Sequence, residues 1–224
     1  MRPALSHIDT WIFDLDNTLY PASCDLFALI DERMTAYIER LLSLPFAEAR
    51  RRQKAYFVDY GTTLAGLIAD HAVDPRHFLD DVHDIDMARL KPDLALNAVL
   101  ANLPGRKLVF TNGNDSYAER VLDALGMAGI FEAVHDIHAN AYIPKPDPRC
   151  YDVLCEQLNV TPKSALFAED MARNLRPAKA LGMATLWINN GSEHGKTDAC
   201  ASYIDYETHD LSHWLVSQFE QEIA

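Results

Sequence analysis

The sequence predicts an α/β fold: a parallel sheet flanked by helices and interrupted by an all-helical segment. Three observations carry this. Short, bulky apolar runs stop abruptly at polar residues, as strands buried on both faces do. From Lys107 onward such runs alternate with helical text, the pattern of βαβ units. Between residues 21 and 90 only helical periodicity appears.

The elements follow in order. Trp11, Ile12 and Phe13 form the first strand, which ends at Asp14. From Asp25 the period changes, with Leu26, Leu29, Ile30, Met34, Tyr37, Ile38, Leu41 and Leu42 at threes and fours, an amphipathic helix closed by Pro45. Helical text continues through 47–58, 64–71 and 75–82. Beyond Lys91 and Pro92 a helix over 94–103 leads through Pro104 and Gly105 into the second strand, Lys-Leu-Val-Phe-Thr-Asn. Then come a helix over 117–125 stopped by Gly126, strand-like text at 133–137, a helix over 150–158, a strand over 165–170, a helix over 174–181 stopped by Gly182, and a strand over 184–189. The tail from Glu193 carries seven acidic residues and one lysine, and its amphipathic stretch 211–219 reads as a solvated edge helix.

Composition narrows the function. The chain has 224 residues, 49% hydrophobic and 24% charged, enough for a substantial core and unlike collagenous or disordered chains. Twenty basic against 33 acidic side chains give a net charge of −13, which argues against nucleic acid or an anionic membrane as partner. No run approaches the ~20 apolar residues of a membrane-spanning helix. The N-terminal apolar run, broken by Asp9, Asp14 and Asp16, is unlike a signal peptide. Cys24, Cys150, Cys155 and Cys200 are dispersed, so reduced thiols and a cytoplasmic location are expected.

Four polar clusters fall at strand ends or in adjoining loops: Asp14, Asp16 and Thr18 in DLDNT, Thr111, Asn112 and Gly113 in TNGN, Lys145 in PKPDP, and Glu169 with Asp170 in FAEDMARN. Open parallel sheets bind ligands at the C-terminal ends of their strands, so the clusters describe one site. In this order they resemble the four motifs of the haloacid dehalogenase superfamily, and the resemblance covers nearly the whole chain. It implies a Rossmann-like core of residues 1–20 and 91–224 with a helical cap at 21–90.

The resemblance also implies roles. Asp14 is the nucleophile, forming an aspartyl-phosphate. Asp16 is the general acid and then base. Lys145 offsets the charge of a dianionic substrate. Thr18, Thr111, Asn112, Gly113 and Lys145 hold the phosphoryl group, with Asn174 in support. Mg²⁺ is bound by Asp14, the Asp16 carbonyl and Asp170, with Glu169 acting through water. A small phosphorylated metabolite is the expected partner, and the chain is expected to be a monomer or homodimer. DLDNTLYP, YGTTLAGL, DMARLKPD and FAEDMARNL more narrowly resemble the pyrimidine 5′-nucleotidase branch, which implies UMP and CMP as substrates. Ala65 stands where that branch commonly has Arg, so Tyr60 to Gly66 are expected near the nucleoside, with Ala65 altering its recognition. The alternatives are a sugar-phosphate or phosphoglycolate phosphatase, a β-phosphoglucomutase-like mutase, and a non-catalytic phospho-ligand sensor.

Other features read as structural. His135 and His138 lack a third ligand in nearby sequence. Arg50, Arg51, Arg52 and Lys54 read as a solvated helix face with a minor role in attracting anions, and Cys150 and Cys155 as partly buried thiols.

Overall fold

Five of the strands form where the short apolar runs place them. The computed structural model describes residues 5–192 and 194–219. Its strands are β1 (Thr10–Phe13), β2 (Arg106–Phe110), β3 (Ala133–His135), β4 (Ala165–Glu169), β5 (Ala184–Ile188) and β6 (Tyr206–Thr208). They pair in parallel in the order β3-β2-β1-β4-β5-β6. Because side chains alternate along a strand, Trp11 and Phe13 enter the apolar layer on one face while Ile12 enters the other. Val109 opposes Leu108 and Phe110 in the same way.

Helices cover both faces. α5 (Leu94–Asn102), α6 (Asp115–Ala124) and α9 (Leu211–Phe219) pack in the Trp11 layer; α7 (Pro148–Gln157) and α8 (Ala172–Leu181) pack in the Ile12 layer. Side-chain caps fix the starts of α5 and α7. Asp93 accepts from the amides of Ala95 and Leu96, and Asp147 accepts from Arg149 ahead of Pro148 at the first helical position. α6, α7 and α8 each begin two residues before the start of the apolar periodicity, since a first turn need not carry the repeat that marks a buried face.

Two features differ from the sequence reading. β6 is a three-residue polar edge strand without an apolar run to announce it. The tail helix α9 is packed rather than merely solvated: Leu211 and Leu215 are buried, and Trp214 meets Tyr206 at 5.7 Å between ring centroids.

Between β1 and α5 lie α1 (Leu26–Leu42), α2 (Phe46–Tyr60), α3 (Thr63–His71) and α4 (Pro75–His83). Their apolar faces meet one another and continue into the Trp11 layer. The α4 end is tied down by Arg120, which donates to the carbonyls of His83 (3.0 Å) and Ile85 (2.5 Å), and by a 2.8 Å bond between His83 Nδ1 and Asn114 Oδ1.

Gly66 sets how closely α3 approaches α2. A Cβ there would lie 2.5 Å from Cγ of Tyr56, whose hydroxyl bonds His71 Nε2 at 2.7 Å. Helix propensity alone favours alanine by ~1 kcal/mol, but forcing an atom into packed side chains costs ~1–3 kcal/mol. Gly66→Ala is therefore expected to lower the stability seen by chemical denaturation; a stabilised variant would show that this contact yields easily.

Candidate active site

The turn after β1 gathers the first cluster. The Asp14 amide extends the β1–β4 ladder by donating to Ala168 O (2.9 Å), and the amides of Thr18 and Leu19 return to Leu15 O at 3.3 and 3.0 Å. Asn17 takes φ 58°, a left-handed conformation that Asn tolerates better than most residues. The turn puts Thr18 Oγ1 3.1 Å from Asp14 Oδ2, to which it donates. It also brings the Tyr20 hydroxyl to Asp16 Oδ1 at 2.6 Å. A second hydroxyl, from Tyr117 on α6, reaches the same Asp16 oxygen at 2.6 Å.

Lys145 joins three strands. Its side chain is 1% exposed, and its ammonium donates to Asp14 Oδ1 (2.7 Å) beyond β1, the Phe110 carbonyl (2.8 Å) ending β2, and Glu169 Oε2 (2.7 Å) ending β4. An ammonium has three protons, and here all three are taken. Asn112 holds the lysine's backbone: its Oδ1 accepts from the Lys145 amide at 2.8 Å and its Nδ2 donates to the Lys145 carbonyl at 3.3 Å. A cis Lys145–Pro146 peptide follows.

The carboxylates outnumber this cation. Oxygens of Asp14, Glu169 and Asp170 lie within 4.8 Å of one another, all three residues buried. Burial, then repulsion from Glu169, lifts the Asp14 carboxyl from 3.8 to about 7 despite Lys145. The same two causes raise Asp170 well above the usual range. Burial raises Asp16 too, against the lowering effect of its two tyrosines. Lys145 is raised as well: burial alone would lower it, but Asp14 and Glu169 outweigh that and hold it charged. Asn174 adds a buried Oδ1 without a hydrogen-bond partner beside the acidic pair. Oxygen donors in excess of cations, with a spare acceptor for a bound water, fit a hard divalent ion such as Mg²⁺. Asp14, Glu169 and Asp170 would offer carboxylate oxygens, whereas the Asp16 side chain is engaged by the tyrosines.

A cavity of about 450 Å³ opens above these groups, within the usual ~300–1,000 Å³ of ligand sites. Asp14, Asp16, Asn112, Gly113, Lys145, Glu169, Asp170 and Asn174 line it from the sheet. Thr18 and Thr111 stand behind the wall: Thr18 supports Asp14, and Thr111 Oγ1 accepts from the Gly113 amide at 2.9 Å. The inserted helices supply much of the remaining wall, including Gly61, Thr62, Thr63 and Leu64, but Ala65 is not part of it; its amide donates to Thr62 Oγ1 at 3.0 Å.

Sequence reasoning did not identify Tyr20, Tyr117 or His83. His83 stacks on the Tyr117 ring, 4.3 Å between centroids and 14° between planes, and burial lowers its pKa to about 4, so it is neutral at pH 7. Their one signal was position, close after strand ends or at the end of a helix returning to the core. His138 does find acidic neighbours, Asp115 and Asp136, but Asp136 already accepts from the amides of Asp115 and Ala139. His135 bonds Asn140 at 2.8 Å. All four cysteines are unpaired. Among the described residues no helix is long and apolar enough to cross a membrane.

The haloacid dehalogenase-like hydrolase family model matches residues 8–182. Phosphate metabolism protein 8 of Saccharomyces cerevisiae is 30% identical over 190 residues, which are 77% of this chain and 59% of the yeast protein. The chain thus spans under two thirds of that relative. Glyceraldehyde 3-phosphate phosphatase of Methanopyrus kandleri is 26% identical over 80% of this chain and 83% of its own. The crystal structure of the HAD phosphatase from Thermococcus onnurineus superposes with a TM-score of 0.65 at 19% identity, covering 95% of this chain and 98% of that one, a likeness of fold.

The raised carboxyls give a test of cation binding. Without metal, the folded protein keeps a proton on Asp14 between pH 3.8 and about 7 that the unfolded chain has released, so its stability falls as pH rises through that window. A divalent cation relieves the repulsion once the proton is gone. Mg²⁺ is therefore expected to raise the Tm of chelator-treated protein more at pH 8 than at pH 5. An equal shift at both, or none, would count against the site.

Proposed function

The chain belongs to the haloacid dehalogenase-like hydrolases, and from that premise we propose that it is a Mg²⁺-dependent phosphatase of small phosphomonoesters, with pyrimidine nucleoside 5′-monophosphates as preferred substrates. The observation that carries the phosphatase reading is Asp16. Expelling a halide needs no proton, because the halide is already a stable anion. Expelling an alkoxide does, and a carboxyl on the cavity wall with raised pKa, held by Tyr20 and Tyr117, is suited to supply one. A non-catalytic sensor would have no use for it.

In this reading Asp14 attacks phosphorus as the ester P–O bond breaks, and Asp16 gives its proton to the leaving oxygen. Asp16 then takes a proton from the water that attacks the aspartyl-phosphate, releasing phosphate and restoring Asp14. Bound Mg²⁺ would supply positive charge to the phosphoryl oxygens and to Asp14. Lys145 and Thr18 hold the Asp14 carboxylate in place, Asn112 fixes the Lys145 loop, and the backbone at Asn112 and Gly113 lies where phosphoryl oxygens would dock.

Residues 21–90 act as a cap, hinged near 20–23 and 90–93, which closes to exclude water and contact the leaving group. Support comes from the shared cavity and from Phe57 of α2, which stacks on His194 at 5.4 Å and lies under the Arg173 guanidinium at 5.0 Å. The pyrimidine preference is supported by the segments YGTTLAGL and DMARLKPD, similar to that nucleotidase branch, and by Thr62 and Thr63 on the cavity wall.

Asp14→Asn keeps the side chain's shape and removes a charge that Glu169 repels, so the variant is expected to fold. Its Mg²⁺-dependent release of phosphate from UMP should fall by at least about 10³-fold, since an amide is a poor nucleophile. A folded variant with near wild-type turnover would contradict the mechanism.

A further inference from the structure

The basic run on α2 is split by its helix. Arg51 and Arg52 lie off the cavity, whereas Arg50, Gln53 and Lys54, at i, i+3 and i+4, share a face and line the same cavity as Asp14 and Asp170, Arg50 and Lys54 with part of their side chains in solvent. Gln53 is 2% exposed and fixed at both ends: its Nε2 donates to Asp31 Oδ1 at 2.6 Å and its Oε1 accepts from Thr35 Oγ1 at 2.5 Å. Asp31 on α1 also receives Lys54 on Oδ1 at 3.0 Å and Arg50 on Oδ2 at 3.2 Å. Two cations are thus aligned on one largely buried carboxylate in a chain whose net charge is −13.

We propose that Arg50 and Lys54, aligned by Asp31 and Gln53, recognise the leaving group through carbonyl oxygens on a planar heterocycle. This rests on the phosphatase reading above. Neither cation has another hydrogen bond or ion pair among the described residues, so both keep spare donors and a ligand must bring acceptors. A second anionic group could do so too, since two cations on one carboxylate leave a net charge of +1, but the apolar surface beside them favours a neutral ring that carries carbonyls. Phe27, Ile30 and Met34 add apolar surface to the same wall, suited to a ring face. Uracil and cytosine both present the O2 carbonyl and adenine presents none, so this wall selects pyrimidines over adenine by what its donors find.

The test compares kcat/KM for UMP, CMP, AMP, ribose 5-phosphate and phosphoglycolate in the wild type, in Lys54→Met, and in the double variant Asp31→Asn/Lys54→Met. In Lys54→Met the loss on UMP and CMP is expected to exceed that on ribose 5-phosphate by about 10- to 100-fold, chiefly in KM, and to narrow the preference over AMP. The double variant removes the carboxylate that Lys54 had neutralised, and the UMP loss is expected to persist there. Equal losses on UMP and ribose 5-phosphate, recovery in the double variant, or phosphoglycolate suffering most would each overturn the proposal. A wild type that cleaves UMP no better than AMP would overturn it and leave the phosphatase reading standing. Release of phosphate from none of the five would sink both.

Discussion

The buried ammonium of Lys145 is the constraint on which the rest of the site depends. An ion taken out of water is tolerable only when its hydrogen bonds are replaced, and this one finds its three acceptors at the ends of three strands. That requires β1 to lie between β2 and β4, as the strand order provides. It also explains why the loop carrying the lysine is held on both sides of its peptide by Asn112. One ammonium cannot balance Asp14, Glu169 and Asp170 together, so the arrangement has a deficit of positive charge that burial magnifies. The fold thereby creates a demand for a cation where a phosphoryl group would need one.

The inserted helices are coupled to this chemistry by contact rather than by proximity in sequence. His83, ending α4, stacks on Tyr117, and Tyr117 donates to Asp16. Phe57 of α2 meets both Arg173, just inside α8, and His194 beyond β5. Movement of α2 and α4 would therefore be felt at the acid and at the cavity rim, which is how a closing cap would link leaving-group binding to proton delivery.

Much of this was legible in the sequence. Strands buried on both faces announce themselves as bulky runs, which made β1, β2, β4 and β5 plain, and polar residues at their ends located Asp14, Asn112, Glu169 and Asp170. β6 was not legible because a short edge strand buries too little to need apolar residues. The early starts of α6, α7 and α8 were hidden because a first helical turn need not carry the period of a core face. Tyr20 and Tyr117 escaped notice because aromatic residues near a core are ordinarily packing, and only geometry shows their hydroxyls converging on one oxygen. The Arg50 to Lys54 run read as a solvated face; which of its cations line the cavity depends on where α1 supplies Asp31. Ala65, expected at the nucleoside, lies off the cavity wall that Thr62, Thr63 and Leu64 line, in the first turn of α3 with its amide held by the Thr62 cap.

The central claim is that Asp14 itself carries the phosphoryl group. It is tested most directly by acid-quenching the enzyme during turnover, reducing with borohydride, which converts an aspartyl-phosphate to homoserine, and locating the product by peptide mass spectrometry. Homoserine at position 14, dependent on both Mg²⁺ and substrate, is the expected result. Homoserine at position 16 or elsewhere, or none under conditions where a known aspartyl-phosphate enzyme is labelled, would contradict it.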